Sequence, residues 1–216
     1  MQGASMTNRR EFLRIGIAAG AWPFAPRTFA VPAGTPGPVP LYKLIYDGRF
    51  SDSVAFGAHA RKLGLPVQEI DGDITGFWYQ ELDAVWRAGA TEETGRPVAI
   101  AGLTAHGPLF CLEQLGWERR LRVVFRAEHV AGTPGFVEHR LSGPLPMLRQ
   151  GMQLAEAGGG WPRTVADIAA QCPQGKNEIS SARVTSVASP AARRSDEPLY
   201  SWVIAPAVRA DGGERT

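Results

Sequence analysis

Between Leu41 and Gly116 three short apolar runs alternate with three segments of helical periodicity, and this alternation restricts the fold more than any other feature. Leu41 to Tyr46 (Leu-Tyr-Lys-Leu-Ile-Tyr) has the length of a strand and ends in Asp47-Gly48, a turn signature. Val67 to Ile70 is the second run and Val98 to Leu103 the third. The third contains no polar residue, which predicts a strand covered on both faces. Ser51 or Ser53 is placed to cap a helix that runs toward Lys62 and stops at Gly64 and Pro66. Thr75 is placed to cap a second helix, on which Trp78, Leu82, Val85 and Trp86 share one stripe. Pro108 opens a third, through Leu109, Leu112 and Leu115 to Gly116. Strands that alternate with helices pair in parallel, with helices on both faces of the sheet. The expected class is therefore α/β, in three layers, with parallel strands from successive β-α units.

After Gly116 the pattern changes. Arg122 to Val130 and Phe136 to Leu141 read as strands of an antiparallel hairpin turned by Ala131-Gly132-Thr133-Pro134-Gly135. Pro146 to Ala157 and Pro162 to Cys172 read as helices separated by Gly158-Gly159-Gly160. Val184 to Ala188 and Leu199 to Ala205 are expected to return to the sheet as late strands. Residues 31–40 hold four prolines and two glycines and read as an extended linker, while 209–216 read as a frayed polar tail. One α/β domain over 41–208 is the expected organisation.

The first thirty residues read differently. Asn8-Arg9-Arg10-Glu11-Phe12-Leu13-Arg14 precedes a weakly apolar stretch from Ile15 to Ala25, then Arg27 and the small residue Ala30. Arg9 and Arg10, any residue, Phe12 and Leu13, then a basic residue: this order resembles the bacterial twin-arginine export signal, with Ala30 as the cleavage position. The stretch is too short to span about 30 Å of hydrocarbon, and no run of eighteen apolar residues occurs, so no stable membrane span is expected in the mature form. The resemblance implies passage through the twin-arginine translocase and a periplasmic location. It also implies a passenger folded before export, a route suited to proteins that carry a cofactor or travel with an exported oxidoreductase subunit. The whole chain has 23 Lys+Arg and 21 Asp+Glu, a net charge of +2. Four of those arginines and one of the glutamates lie in residues 1–30, so the remainder is close to neutral and nucleic acid is not an expected partner.

Candidate chemistry lies in the loops that follow the parallel strands, where open α/β sheets bind ligands. If the strands are neighbours, Asp47, Arg49, Asp71, Asp73, Thr104 and His106 share one rim. His106 precedes a helix start and is the candidate general acid or base, with Asp47 or Asp71 to orient it. Arg49, Asp73 and Thr104 are the candidate ligand-binding residues. Capping and turn roles are the plain alternative for Asp52, Asp71 and Asp73, and Asp47 and Arg49 are close enough in sequence to pair with each other. His129 and His139 flank the hairpin and can face each other across it. No metal-ligand spacing and no dinucleotide, P-loop, nucleophile-elbow or haem-attachment motif occurs, so no cofactor or metal is expected. Cys111 reads as helix packing, and a bridge to Cys172 is permitted by an oxidising compartment. The residues thus point to an exported accessory or small-ligand-binding protein, with a cofactor-free His106 enzyme and a structural partner subunit as alternatives.

Overall fold

A computed structural model of the chain describes residues 39–87, 98–171, 178–188 and 197–207. The residues expected to form an export signal, most of the expected linker, Cys172 and the expected C-terminal tail lie outside the described residues. The first three strands are β1 (Leu41–Asp47), β2 (Val67–Ile70) and β3 (Ala99–Thr104), joined through helices α1 (Ser51–Lys62), α2 (Thr75–Phe77) and α3 (Asp83–Arg87). After α4 (His106–Glu118) come β4 (Leu121–Ala131) and β5 (Phe136–Pro144), then α5 (Leu145–Gly151) and α6 (Trp161–Ala169), and finally β6 (Ile179–Val187) and β7 (Leu199–Pro206). They form one seven-stranded mixed sheet in the order β2-β1-β3-β7-β4-β5-β6. β1 pairs in parallel with β2 and β3, and every other pairing is antiparallel.

The three-layer α/β arrangement follows from where the helices bury their apolar faces. Phe56 and Ala60 of α1, Met147 and Leu148 of α5, and Trp161 and Val165 of α6 join one core cluster with Leu44, Tyr46 and Leu103. Leu109 and Leu112 of α4 join a second cluster with Trp78, Leu82, Ile45 and Ile100. Side chains alternate across a strand, so neighbours such as Leu44 and Ile45 feed opposite clusters. The chain steps from β1 to β2 on one side and then past β1 to β3 on the other. Crossovers of one hand taken in opposite directions must lie on opposite faces, which is where α1 and the α2–α3 segment sit. Among the described residues, no helix is long and apolar enough to cross a membrane.

Several local expectations change. Neither Ser51 nor Ser53 caps α1, whose N-cap is Phe50 without a side-chain hydrogen bond. Thr75 is the first residue of α2 and not its cap; its backbone N–H is taken by Asp73 Oδ1 at 2.7 Å. The expected continuous helix is interrupted by a π turn, Trp78–Leu82. A π turn brings residues five apart onto one face. Asp83 is thereby turned inward and buried, while Val85 is left half-exposed and Trp86 still stacks on Trp78. The predicted helix from Pro146 to Ala157 is shorter, and 3-10 turns follow it at Met152–Ala155 and Gly158–Gly160.

Buried Asp83 accepts hydrogen bonds from Arg119, just past α4, and from Arg87. The Arg119 contact, then Arg87, holds its carboxyl below the usual range against the opposing effect of burial. A depressed carboxyl contributes stability that is fully present above its unfolded value of about 3.9 and is lost as pH falls through the folded one. Asp83→Asn is therefore expected to lower stability at neutral pH and to shrink the wild-type loss below about pH 4, measured by urea unfolding across pH. A second test concerns Gly102. A Cβ there would stand 2.4 Å from the Trp202 ring and 2.6 Å from the Ile45 carbonyl oxygen. Gly102→Ala is expected to destabilise by about 1–3 kcal/mol, because backbone and a buried indole cannot both retreat.

Candidate functional site

Adjacent parallel strands whose following helices leave to opposite faces open a crevice between their carboxyl ends. Here those strands are β1 and β3, and the loops are Asp47–Phe50 and Thr104–Gly107. β2 and β3 both pair in parallel with β1, so the loops that carry the six residues singled out from the sequence leave the same edge of the sheet. Their engagements differ.

Asp47 is fully buried at the end of β1. Both of its oxygens are held by Arg49, Nε to Oδ1 at 2.9 Å and Nη2 to Oδ2 at 2.7 Å. Its backbone N–H donates to Ser53 Oγ at 2.8 Å, and the Ser53 hydroxyl donates in turn to the Leu103 carbonyl. Ser53 thus ties β1 to β3 from inside α1, which explains why it does not cap. The Arg49 guanidinium lies over Gly72, where any Cβ would stand 2.4 Å from its Cζ. Its hydrogen bonds to the Asp47 carboxylate raise its pKa against the effect of burial, with further support from the charges of Asp47, Glu197 and Asp71. One arginine therefore stands in the field of three carboxylates.

At the β3 end, Thr104 is buried; its hydroxyl donates to the Ala105 carbonyl at 2.9 Å and accepts from Trp202 Nε1 at 3.1 Å. It fixes the tryptophan. His106 is exposed at the first turn of α4, with its ring centroid 5.2 Å from that of Tyr200 and 6.2 Å from that of Phe110. Among the described residues, no hydrogen bond or ion pair joins His106 to Asp47 or Asp71. The Tyr200 hydroxyl donates to Glu128 at 2.9 Å. Burial first, and then Glu128, raises its pKa. Asp73 is exposed, and the Thr75 backbone N–H holds its carboxyl below the usual range. Tyr200 and Glu197 were not among the candidates from the sequence. They reach the rim only because β7 pairs with β3, a juxtaposition that no local pattern reveals.

A second polar group is sealed inside. His129 and His139 stand in register on β4 and β5, both fully buried, with Nδ1 atoms 2.7 Å apart. His129 Nε2 lies 2.9 Å from Ser201 Oγ and His139 Nε2 lies 2.8 Å from Ser186 Oγ. The Ser186 hydroxyl donates to the Val187 carbonyl at 3.3 Å, so it accepts from His139. With both rings neutral, His139 then carries its proton on Nε2, His129 donates from Nδ1, and Ser201 donates to His129 Nε2. The Trp161 ring lies against both imidazoles, at 4.6 and 5.2 Å between centroids. Glu128 and Glu138 lie on the opposite face of the sheet, where both contact Arg140. Among the described residues, no group of three or more His, Cys, Asp or Glu is placed to hold a metal ion. Cys111 is half-buried as a free thiol.

No known protein family, curated protein or solved structure matches the chain. The geometry itself makes one prediction about the buried relay. His129→Leu or His139→Leu alone leaves buried polar atoms without partners and is expected to cost about 1–3 kcal/mol. The double substitution removes both members of the central bond, so its cost should fall short of the sum by about 1 kcal/mol or more. Strict additivity in urea unfolding would contradict the relay.

Proposed function

We propose that the chain is an exported, periplasmic protein whose α/β domain binds a small organic molecule at the crevice between β1 and β3. The observation that carries this reading is the position of the Asp47–Arg49 pair, Asp71 and His106 around the switch point of the sheet. Because Arg49 stands among Asp47, Asp71 and Glu197, the field there favours a neutral or cationic ligand over an anionic one. Arg49 orders the loop by holding Asp47, and the His106 and Tyr200 rings, set edge to face, supply an aromatic side to the site.

A panel of small amines, amino acids and polyols, matched with carboxylic acids of similar size, tests the site by thermal shift. At least one neutral or cationic compound should raise the Tm of the wild type, and Asp71→Asn and His106→Ala should each reduce that shift. Stabilisation confined to the acids would overturn the reading. Export is tested separately, by fusing residues 1–30 to a folded reporter. Transport should stop when Arg9 and Arg10 both become Lys; undiminished transport would exclude the twin-arginine route.

A second reading, an accessory subunit of an exported oxidoreductase, is favoured by the outer side of α4. Phe110 and Trp117, two helical turns apart, are 50% and 65% exposed beside a groove of about 270 Å³ lined by Leu112, Gly116, Leu121 and Val123. Trp117→Ala should then abolish co-purification of the partner while leaving the thermal shift at the crevice unchanged.

A further inference from the structure

On β5 and β6 the described helices cover only one face. α5 and α6 pack on the side of Val137, Leu141 and Val184. The opposite side of β5 and β6 carries Glu138, Arg140 and Ser142 facing Thr185, Arg183 and Ser181, and most of these residues are exposed or half-exposed. Register places Arg140 directly opposite Arg183, and Ser142 directly opposite Ser181. Like charges in direct cross-strand register destabilise a sheet, so folding alone does not call for this arrangement.

Carboxylates hold the pair on the flank of Glu138 and, for Arg140, from Glu128 directly opposite it on β4. Glu138 Oε1 accepts from Arg140 Nε at 2.6 Å and lies 3.5 Å from Arg183 Nε, and Glu128 Oε2 lies 3.2 Å from Arg140 Nη1. On the other flank lie the serines. There a shallow hollow of about 410 Å³ is lined by Arg140, Leu141, Ser142, Ser181, Ala182 and Arg183, with no acidic residue among them. The Arg183 side chain is 69% exposed.

We propose that this hollow is a binding site for a phosphate dianion, free or as the terminal group of a phosphomonoester. Four donor groups at the corners of the hollow, two guanidinium groups and two hydroxyls, suit a tetrahedral oxyanion. A carboxylate needs one such fork and leaves the second arginine unanswered. Glu138 and Glu128 hold the guanidinium groups in place, so little side-chain freedom is lost on binding. The site lies on the flank away from the β1–β3 crevice and does not depend on what binds there.

Titration of the full chain with inorganic phosphate near pH 8, followed calorimetrically with succinate as the comparison anion, tests the proposal. Phosphate should bind saturably, at one per chain, and more tightly than succinate. Arg183→Ala should weaken phosphate by about tenfold or more, as expected for loss of a charge-assisted contact. Ser142→Ala with Ser181→Ala should weaken it measurably while leaving every charge in place. Arg163→Ala, at an exposed position of α6, should leave binding unchanged. Absence of saturable binding, a stronger response to succinate, or equal losses in Arg163→Ala and Arg183→Ala would each overturn it. Arg183 and the two serines all lie toward solvent, so their variants should keep the wild-type Tm. An Arg183→Ala protein that stays folded and binds phosphate normally is likewise decisive against the site.

Discussion

All sheet hydrogen bonding between the parallel and antiparallel halves of this protein runs through its last strand. β7 pairs with β3 on one side and β4 on the other, so the sheet is continuous only once the final described segment is in place. The strand is suited to that position. Leu199, Val203 and Ala205 enter one core cluster, Trp202 and Ile204 the other, and nothing along its centre requires solvent. Unpaired backbone groups on the inner edges of β3 and β4 would be costly to bury, which makes β7 the element on which both halves rely. Two long-range side-chain contacts, Trp202 to Thr104 and Ser201 to His129, belong to it as well.

Polar residues in this fold divide by whether the sheet seals them in. Asp47 and Thr104 lie at the carboxyl ends of parallel strands and Ser53 in the first turn of α1, yet each is buried and bonded to its neighbours. They shape the crevice by fixing loops. What faces solvent around them is Arg49, Asp71 and His106. The histidine pair is the same distinction carried to its limit, with two imidazoles and two hydroxyls closed into a relay under an indole ring. Groups so buried act on stability and specificity of packing, whereas the exposed row of Arg140 and Arg183 acts on what arrives from outside.

Much of the fold was legible because its signals are local. The runs 41–46, 67–70 and 98–103 became strands within a residue or so, and the hairpin turned where Gly132 to Gly135 allowed it. The rim was legible for the same reason: it follows from strand direction and needs only the loops that come next. The failures were also local in origin. A serine before a helix looks like a cap, but Ser53 found a backbone carbonyl fifty residues away in Leu103. A stripe at Trp78, Leu82, Val85 and Trp86 assumes an unbroken α-helical period, and the π turn replaced it to bring Asp83 onto Arg119. In each case a distant partner outweighed a local preference worth about 1 kcal/mol.

By itself the sequence determined the class of fold and the order of the elements, because periodicity and turn chemistry act between near neighbours. Only the tertiary structure decided that β7 enters the middle of the sheet, that Arg49 is surrounded by carboxylates, that His129 meets His139, and that Arg140 faces Arg183. Those outcomes depend on register between strands far apart in the chain, and register is set by burying both faces of the sheet at once.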